Sequence, residues 1–323
     1  MSILSKYTAT MAEIAAESLL DGNLVAFPTE TVYGLGADAT NEGAVSRIYE
    51  VKGRPLGHPV IVHISSIGSL NKWARDIPDY AATLARTFWP GPMTLILPRT
   101  NLAKDFITGG QDNVGIRIPS HSLALELLSA FESKGGLGIA APSANRFGAV
   151  SPTTACAVEI ELTGYLSTSD TILDGGACEV GVESTIIDCT QSKPKILRPG
   201  AITLDMIEEY LNISTEVSAS PTSGDQIKVA GLLESHYAPK AKVILIGFPG
   251  PGDGFIALDK FFTPDGVVRL AAPKTNKEFA QILYQAFRLA DKMGLYRIYV
   301  KPPTGKGIAV AINDRLAKAA YDL

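Results

Sequence analysis

The chain has 323 residues, of which 46% are hydrophobic and 19% charged, with a formal net charge of −4. That length suits two domains, and the composition is that of an ordinary folded enzyme. The acidic balance excludes a broad nucleic-acid-binding face, which would be basic, and leaves room for a local basic cleft.

Cys156, Cys178 and Cys189 form no C-x-x-C pair, so they read as reduced thiols of a cytoplasmic protein, not as a disulfide frame or zinc site. The first ten residues are too polar for a signal peptide, and no apolar run approaches the ~20 residues of a membrane span.

An amphipathic helix over 11–20 ends at Asp21-Gly22. A buried strand over 24–27 stops at Pro28, which cannot donate to a ladder. Past its end stand Thr29, Glu30, Thr31 and Tyr33, while Gly34 and Gly36 permit a tight bend or a close approach to a ligand. Asn41 caps a helix over 42–51, with Val45, Ile48 and Tyr49 on one side. Lys52, Gly53, Arg54 and Pro55 follow, and a second buried strand over 59–64 carries His63. In open α/β sheets ligands bind beyond strand ends, where this unit gathers two cations, several hydroxyls and an imidazole.

Helices are expected over 67–73 and 79–88, then the turn Trp89-Pro90-Gly91-Pro92 and a strand over 93–97. A surface loop over 101–113 precedes a strand over 114–118, and Ser120 or Ser122 caps a helix over 123–131. A short strand over 138–141 leads into the polar loop Pro142-Ser143-Ala144-Asn145-Arg146-Phe147-Gly148. A helix to 162, strands over 171–173, 185–188 and 195–197, and a helix over 203–211 complete a mixed, open sheet with flanking helices. Residues 212–240 are a long Ser/Thr/Pro/Gly-rich linker of the kind that forms lids. Strands over 243–246, 255–258, 267–270 and 297–300, with helices over 276–292 and 308–321, make a small Rossmann-like α/β unit. The expected division is 1–211, 212–240 and 241–323.

Two phosphate-loop look-alikes fail. Gly250-Pro251-Gly252-Asp253-Gly254 lacks the third glycine of G-x-G-x-x-G, because Phe255 stands there. Thr304-Gly305-Lys306-Gly307 lacks both the leading glycine and the final Ser or Thr of G-x-x-x-x-G-K-[ST]. Four histidines, His58, His63, His121 and His236, offer no multi-histidine metal motif.

The remaining candidates are Thr31, Lys52, Arg54, His63, Arg117, Ser143, Asn145, Ser184 and Arg198. Singly, most have a structural use: surface arginines are solvated, a histidine after an apolar strand is usually a satisfied core residue, and Ser143 and Asn145 can close a local turn. Arg117 stands apart, because a charge inside a strand needs a partner or a ligand.

Together they are specific. Lys52-Gly53-Arg54 with Ser143-Ala144-Asn145 resembles the paired K-x-R and S-x-N signature of the YrdC-type threonylcarbamoyl-AMP synthases. The words Phe27-Pro28-Thr29-Glu30-Thr31-Val32-Tyr33-Gly34-Leu35, Trp89-Pro90-Gly91-Pro92-Met93-Thr94, Gly181-Val182-Glu183-Ser184-Thr185 and Leu197-Arg198-Pro199-Gly200 resemble that family in the same order. Ser235-His236-Tyr237-Ala238-Pro239 and the terminal unit are similar to its long, two-domain branch.

The resemblance implies a YrdC-like catalytic sheet and a reaction of L-threonine, bicarbonate and ATP that gives threonylcarbamoyl-adenylate and pyrophosphate. It also implies Mg²⁺ carried on the ATP phosphates, a tRNA threonylcarbamoyl transferase that receives the product, and room for a weak tRNA contact. Carried over residue by residue, Lys52, Arg54, Ser143 and Asn145 form the catalytic signature. His58, Asn113, Ser151, Arg198 and Tyr237 join them around ATP, and Thr31, His63, Arg117, the backbone at Ala141 and Ser184 surround threonine. His58 and Asn113 depart from the pattern, which commonly has Asn and Thr there. An RNA-binding module, a carbamoyl-adenylate domain of a hydrogenase-maturation protein and a ligand-sensing regulator are the rival readings; the absence of C-x-x-C disfavours the second.

Overall fold

Short runs closed by Pro, Gly and Asp give the larger unit strands of two to six residues. In the structure, a computed structural model, residues 2–5, 9–212, 215–217, 227–229 and 237–321 are described. Among them is an 11-stranded sheet in the order β1 (Ser2–Ser5), β8 (Thr171–Asp174), β2 (Val25–Phe27), β3 (Gly34–Asp38), β7 (Ile139–Ala140), β4 (Ile61–His63), β6 (Asn113–Arg117), β5 (Met93–Pro98), β9 (Thr185–Asp188), β10 (Lys195–Arg198), β11 (Glu216–Val217). Pairing is mixed, as expected: β4 runs parallel to β6 and β5 to β9, while β2–β3, β4–β7 and β5–β6 are antiparallel.

The two glycines past Pro28 do more than bend the chain, because they lie in β3, paired with β2. A Cβ on Gly36 would come within 2.8 Å of Ile139 Cγ2 and 2.9 Å of Phe27 Cε1, so only glycine lets this strand sit under its neighbours. β1 and β11 were also unread as strands; their sequences carry little pattern, and pairing with β8 and β10 makes them strands. The loop expected over 101–113 contains a one-turn helix, Asp105–Thr108. The helix Ser122–Ser133 is capped by His121, whose ring accepts from Leu123 N at 3.2 Å, and not by either serine. Asn41 caps the helix Glu42–Lys52 as expected, accepting from Ala44 N.

One face of the sheet packs against the helices Ala9–Leu20 and Ser122–Ser133 through Ala12, Ala16, Leu19, Leu127 and Phe131. The larger core, with Val45, Ile48, Trp73, Leu84 and Phe88, holds the helices Glu42–Lys52 and Asp79–Phe88.

The second unit is a parallel sheet in the order β12 (Lys242–Ile244), β15 (Arg297–Val300), β13 (Gly254–Ile256), β14 (Val268–Ala271). The helices Asn276–Lys292 and Ile308–Ala319 bury Phe279, Leu283, Phe287, Ile312 and Leu316 against Ile256, Ile298 and Val300. The same core takes in Val32, Val150 and Val182 of the larger unit, so the helical layer lies against the larger unit. Of the linker expected over 212–240, only 212, 215–217, 227–229 and 237–240 are described; the rest of that expectation lies outside the described residues. No described helix is long and apolar enough to cross a membrane.

Candidate active site

The segments beyond several strand ends converge on one hollow. Its lining includes Thr31 from the turn between β2 and β3, Arg54, His63 of β4, Arg117 of β6, Ala141 and Ser143 beyond β7, Ser184 before β9, Arg198 at the end of β10, and Tyr237 of the linker. Nine of the residues singled out in the sequence therefore share one cavity.

The K-x-R and S-x-N words meet through Lys52. Its buried Nζ donates to Ser143 O at 2.6 Å and also to Asn145 O, and Phe147 N returns a bond to Lys52 O at 2.7 Å. Gly53, at φ 60°, caps the helix and turns the chain so that Arg54 faces the hollow while Lys52 faces the loop. Lys52 thus stands behind the lining, and a direct phosphate contact would require it to release a carbonyl. Burial, then the neighbouring Arg54, lower its pKa well below the usual lysine value.

Arg54 donates through Nη2 to Pro59 O at 3.0 Å, while its buried Nε has no hydrogen-bond partner. Asn145 spends its amide N–H groups on Arg146 O and Ala149 O, at 2.7 and 2.8 Å, and its buried Oδ1 is also unpartnered. His63 packs edge-on to Phe27 at 5.8 Å, and its Nδ1 is the third such atom. Burial, reinforced by the charge of Arg117, holds the imidazole at a pKa of about 3, so it is neutral at pH 7.

Arg117 meets the demand for a partner that its strand position makes. Its Nη2 donates to Glu30 Oε1 at 2.7 Å and its Nε to Gly91 O at 3.3 Å, with Nη1 on the third corner of the guanidinium. Glu30 is fixed in turn by Ser120 N at 3.0 Å. Thr31 shares a 2.7 Å hydroxyl bond with Thr29, and Ser184 one of 2.8 Å with Thr94. Arg198 donates to Ser184 O and Ser184 Oγ, both at 3.1 Å.

Asn145, Ser151, His58 and Asn113, like Lys52, lie apart from the lining. Ser151 is buried and donates to Glu183 Oε1 at 2.6 Å. His58 is half-buried, its ring 5.6 Å from Phe147. Asn113 sits in an adjoining groove with Gln111, Ile227, Lys228 and Val229.

Sequence reasoning missed Glu30 as the partner of Arg117, and it missed Glu183 together with its partners from the second domain. Glu183 lines the hollow and is held by Ser151, by Tyr284 Oη at 3.0 Å and by Arg315 Nε at 2.7 Å. Tyr237 stacks on Tyr284 at 6.0 Å with Arg315 5.2 Å from its ring centroid. Its φ of 62° is unusual for a side-chain-bearing residue, and the linker there pairs with Ala149 through Ala238.

A family model described as telomere recombination (Sua5, YciO, YrdC) matches residues 17–200, and one described as threonylcarbamoyl-AMP synthase, C-terminal domain, matches 202–321. The chain is 40% identical to a threonylcarbamoyl-AMP synthase of Pyrococcus abyssi over 95% of its own length and 93% of that protein's. It is 38% identical to one from Bacillus subtilis, over 95% and 92%. The crystal structure of P. abyssi Sua5 complexed with L-threonine superimposes with a TM-score of 0.89 at 38% identity, covering 99% of this chain and 98% of that one. The fold is that of this Sua5 structure, and the chain is an enzyme of the nucleotidyltransferase class. It belongs to the YrdC-type threonylcarbamoyl-AMP synthase family, in the long Sua5-type branch that carries a second domain.

Proposed function

We propose that the cleft joins L-threonine, bicarbonate and ATP into threonylcarbamoyl-adenylate and pyrophosphate, as the first step of threonylcarbamoyladenosine formation on tRNA in the cytoplasm. A tRNA threonylcarbamoyl transferase would take the product. The observation that carries this reading is a hollow lined by Arg54, Arg117 and Arg198 in which Arg54 Nε and His63 Nδ1 are buried without partners. Buried polar atoms are nearly always paired, so such atoms in a cationic cleft mark where a polar, anionic ligand completes the site. Relatives named threonylcarbamoyl-AMP synthase, and a similar structure holding L-threonine, support the choice of ligand.

In this reading the amine of threonine takes up the carbon of bicarbonate, with loss of water. A carbamate oxygen then attacks the α-phosphorus, and pyrophosphate leaves. Arg117 holds the threonine carboxylate through donors that Glu30 and Gly91 leave over, and Glu30 keeps the guanidinium plane fixed. Thr31, His63, Ser184 and the backbone at Ala141 surround the rest of the amino acid. Because His63 is neutral, it orients by hydrogen bonding and stores no proton.

Arg54 and Arg198 face the phosphates as fixed positive charge, the arrangement that favours a transition state gaining negative charge. Ser143, Asn145 and Ser151 serve the nucleotide, with Lys52 setting the Ser143–Asn145 loop. His58 and Asn113, outside the hollow, would reach only the outer part of ATP, and Tyr237 would cover the site. The two nearby carboxylates, Glu30 and Glu183, are engaged by Arg117 and Arg315. The donor set therefore fits a Mg²⁺ carried on phosphate oxygens and water, which would lessen the charge of the triphosphate.

The test is product identification. Incubation with threonine, labelled bicarbonate and ATP should give the threonylcarbamoyl-adenylate mass, and Arg54→Ala should remove it. ADP in place of the adenylate would refute the reading.

A further inference from the structure

Charge is distributed unevenly along this acidic chain. Residues 241–323 hold twelve Lys and Arg against seven Asp and Glu, a formal +5, so the preceding 240 residues carry −9 of the total −4. Asymmetry of that kind points to an anionic partner for the basic part.

The small sheet has two unlike faces. Ile256, Ile298 and Val300 face the helices and the larger unit. By strand alternation Phe255 and Tyr299, which are directly paired, face the other way, where no described helix covers them. On that face the loops following β12, β13 and β15 close a hollow of about 230 Å³ whose lining includes Phe248, Phe255, Phe261, Phe262, Tyr299 and Lys301. The lining has no carboxylate. This is the carboxyl end of parallel strands, where open α/β sheets place their ligands.

The aromatic loop is held in place. Arg269 donates to Ala257 O, Leu258 O, Phe261 O and Thr263 Oγ1 at 2.8 to 3.1 Å, and its guanidinium lies 4.8 Å from the Phe255 ring centroid. On this pinned scaffold Phe262 is 82% exposed, and across the hollow Phe248 is 90% exposed. Lys301 and Lys260 stand 4.7 and 5.5 Å from the ring centroid of Phe261. Displaying large apolar rings to water on a fixed loop is costly unless they meet a partner. Aromatic faces interleaved with lysines, in a domain of net positive charge, are the chemistry that stacks bases and neutralises phosphates.

We propose that this hollow is a binding site for an unpaired stretch of RNA, separate from the catalytic cleft, with bases stacking on Phe248 and Phe262 and phosphates meeting Lys260 and Lys301. Two lysines, Lys260 and Lys301, against the one Phe261 ring favour a ligand with more than one phosphate over a mononucleotide. The choice of RNA over DNA rests on the proposed place in tRNA modification.

The experiment is fluorescence anisotropy of a labelled uridine dodecamer against the full chain. Phe248→Ala/Phe262→Ala, which removes two stacking rings, should weaken binding at least about thirtyfold. Lys260→Glu/Lys301→Glu should weaken it and make the dependence on log salt shallower by one to two units. Adenylate formation should be unchanged in both variants. Unchanged affinity in both variants, competition by AMP alone, or equal affinity for a thymidine dodecamer would overturn the proposal. A wild-type protein that binds the RNA in this way yet makes no adenylate would support this site while refuting the catalytic reading.

Discussion

Arg315 of the second domain donates through Nε to Glu183 Oε2 of the first at 2.7 Å, and both side chains are buried. Burial alone would raise the pKa of the Glu183 carboxyl, but Arg315 and then Arg198 outweigh it and hold the group at about 2. The second domain therefore sets the charge on a residue that lines the cleft.

Breaking that pair should cost about 3–5 kcal/mol, because it strands a buried charge. We expect Arg315→Met to lower stability by that order in chemical denaturation. The double variant Arg315→Met/Glu183→Gln should recover a substantial part of the loss. A double variant as unstable as the sum of the singles would mean that the two residues act independently.

Arg117→Ala should weaken threonine at least about thirtyfold, the lower end for truncating a buried, hydrogen-bonded charge. ATP affinity should change far less. Glu30→Gln, which leaves the guanidinium in place but loosens its anchor, should give a smaller loss in the same direction. Titration calorimetry with each ligand separates the two, and equal losses for both ligands would remove Arg117 from the threonine pocket.

His63 carries a pH signature. Its folded pKa of about 3 lies below the unfolded value near 6.5, so the unfolded chain takes up the proton first on acidification. The stability tied to this ring is complete above pH 6.5 and declines as pH falls towards 3. Between pH 6.5 and 5 the decline should be about 2 kcal/mol. His63→Leu should lack that component, read as the difference between the two stability–pH curves. Parallel curves would show that the ring titrates normally.

If Tyr237 and the linker cover the nucleotide, ATP with threonine should protect this segment from protease. Tyr237→Ala removes the stack on Tyr284 and the contact with Arg315, so it should abolish most of that protection. Cleavage indifferent to both ligands would exclude a covering role.

Much of this was legible locally. The second unit's four strands and two helices follow from short strand-like runs and helically spaced apolar residues between turn residues, and Arg117 announced its need for a partner by sitting inside a strand. The partner itself was not legible. Glu30 is 87 residues from Arg117, and Glu183 is 132 from Arg315, separations across which sequence carries no pairing signal. Gly36 was read as a site of close approach, and that was the right physics with a different neighbour: what approaches is Phe27 and Ile139 of the sheet. The resemblance places Lys52 around ATP, but its carbonyl partners on a loop some ninety residues on were not legible in the sequence.

The central claim is one cationic cleft that activates threonine with bicarbonate and ATP, and pyrophosphate release measured by omission tests it most directly. The account predicts release when all three substrates are present, and loss of that release when either threonine or bicarbonate is withheld. Release at the same rate without threonine, or without bicarbonate, would contradict it.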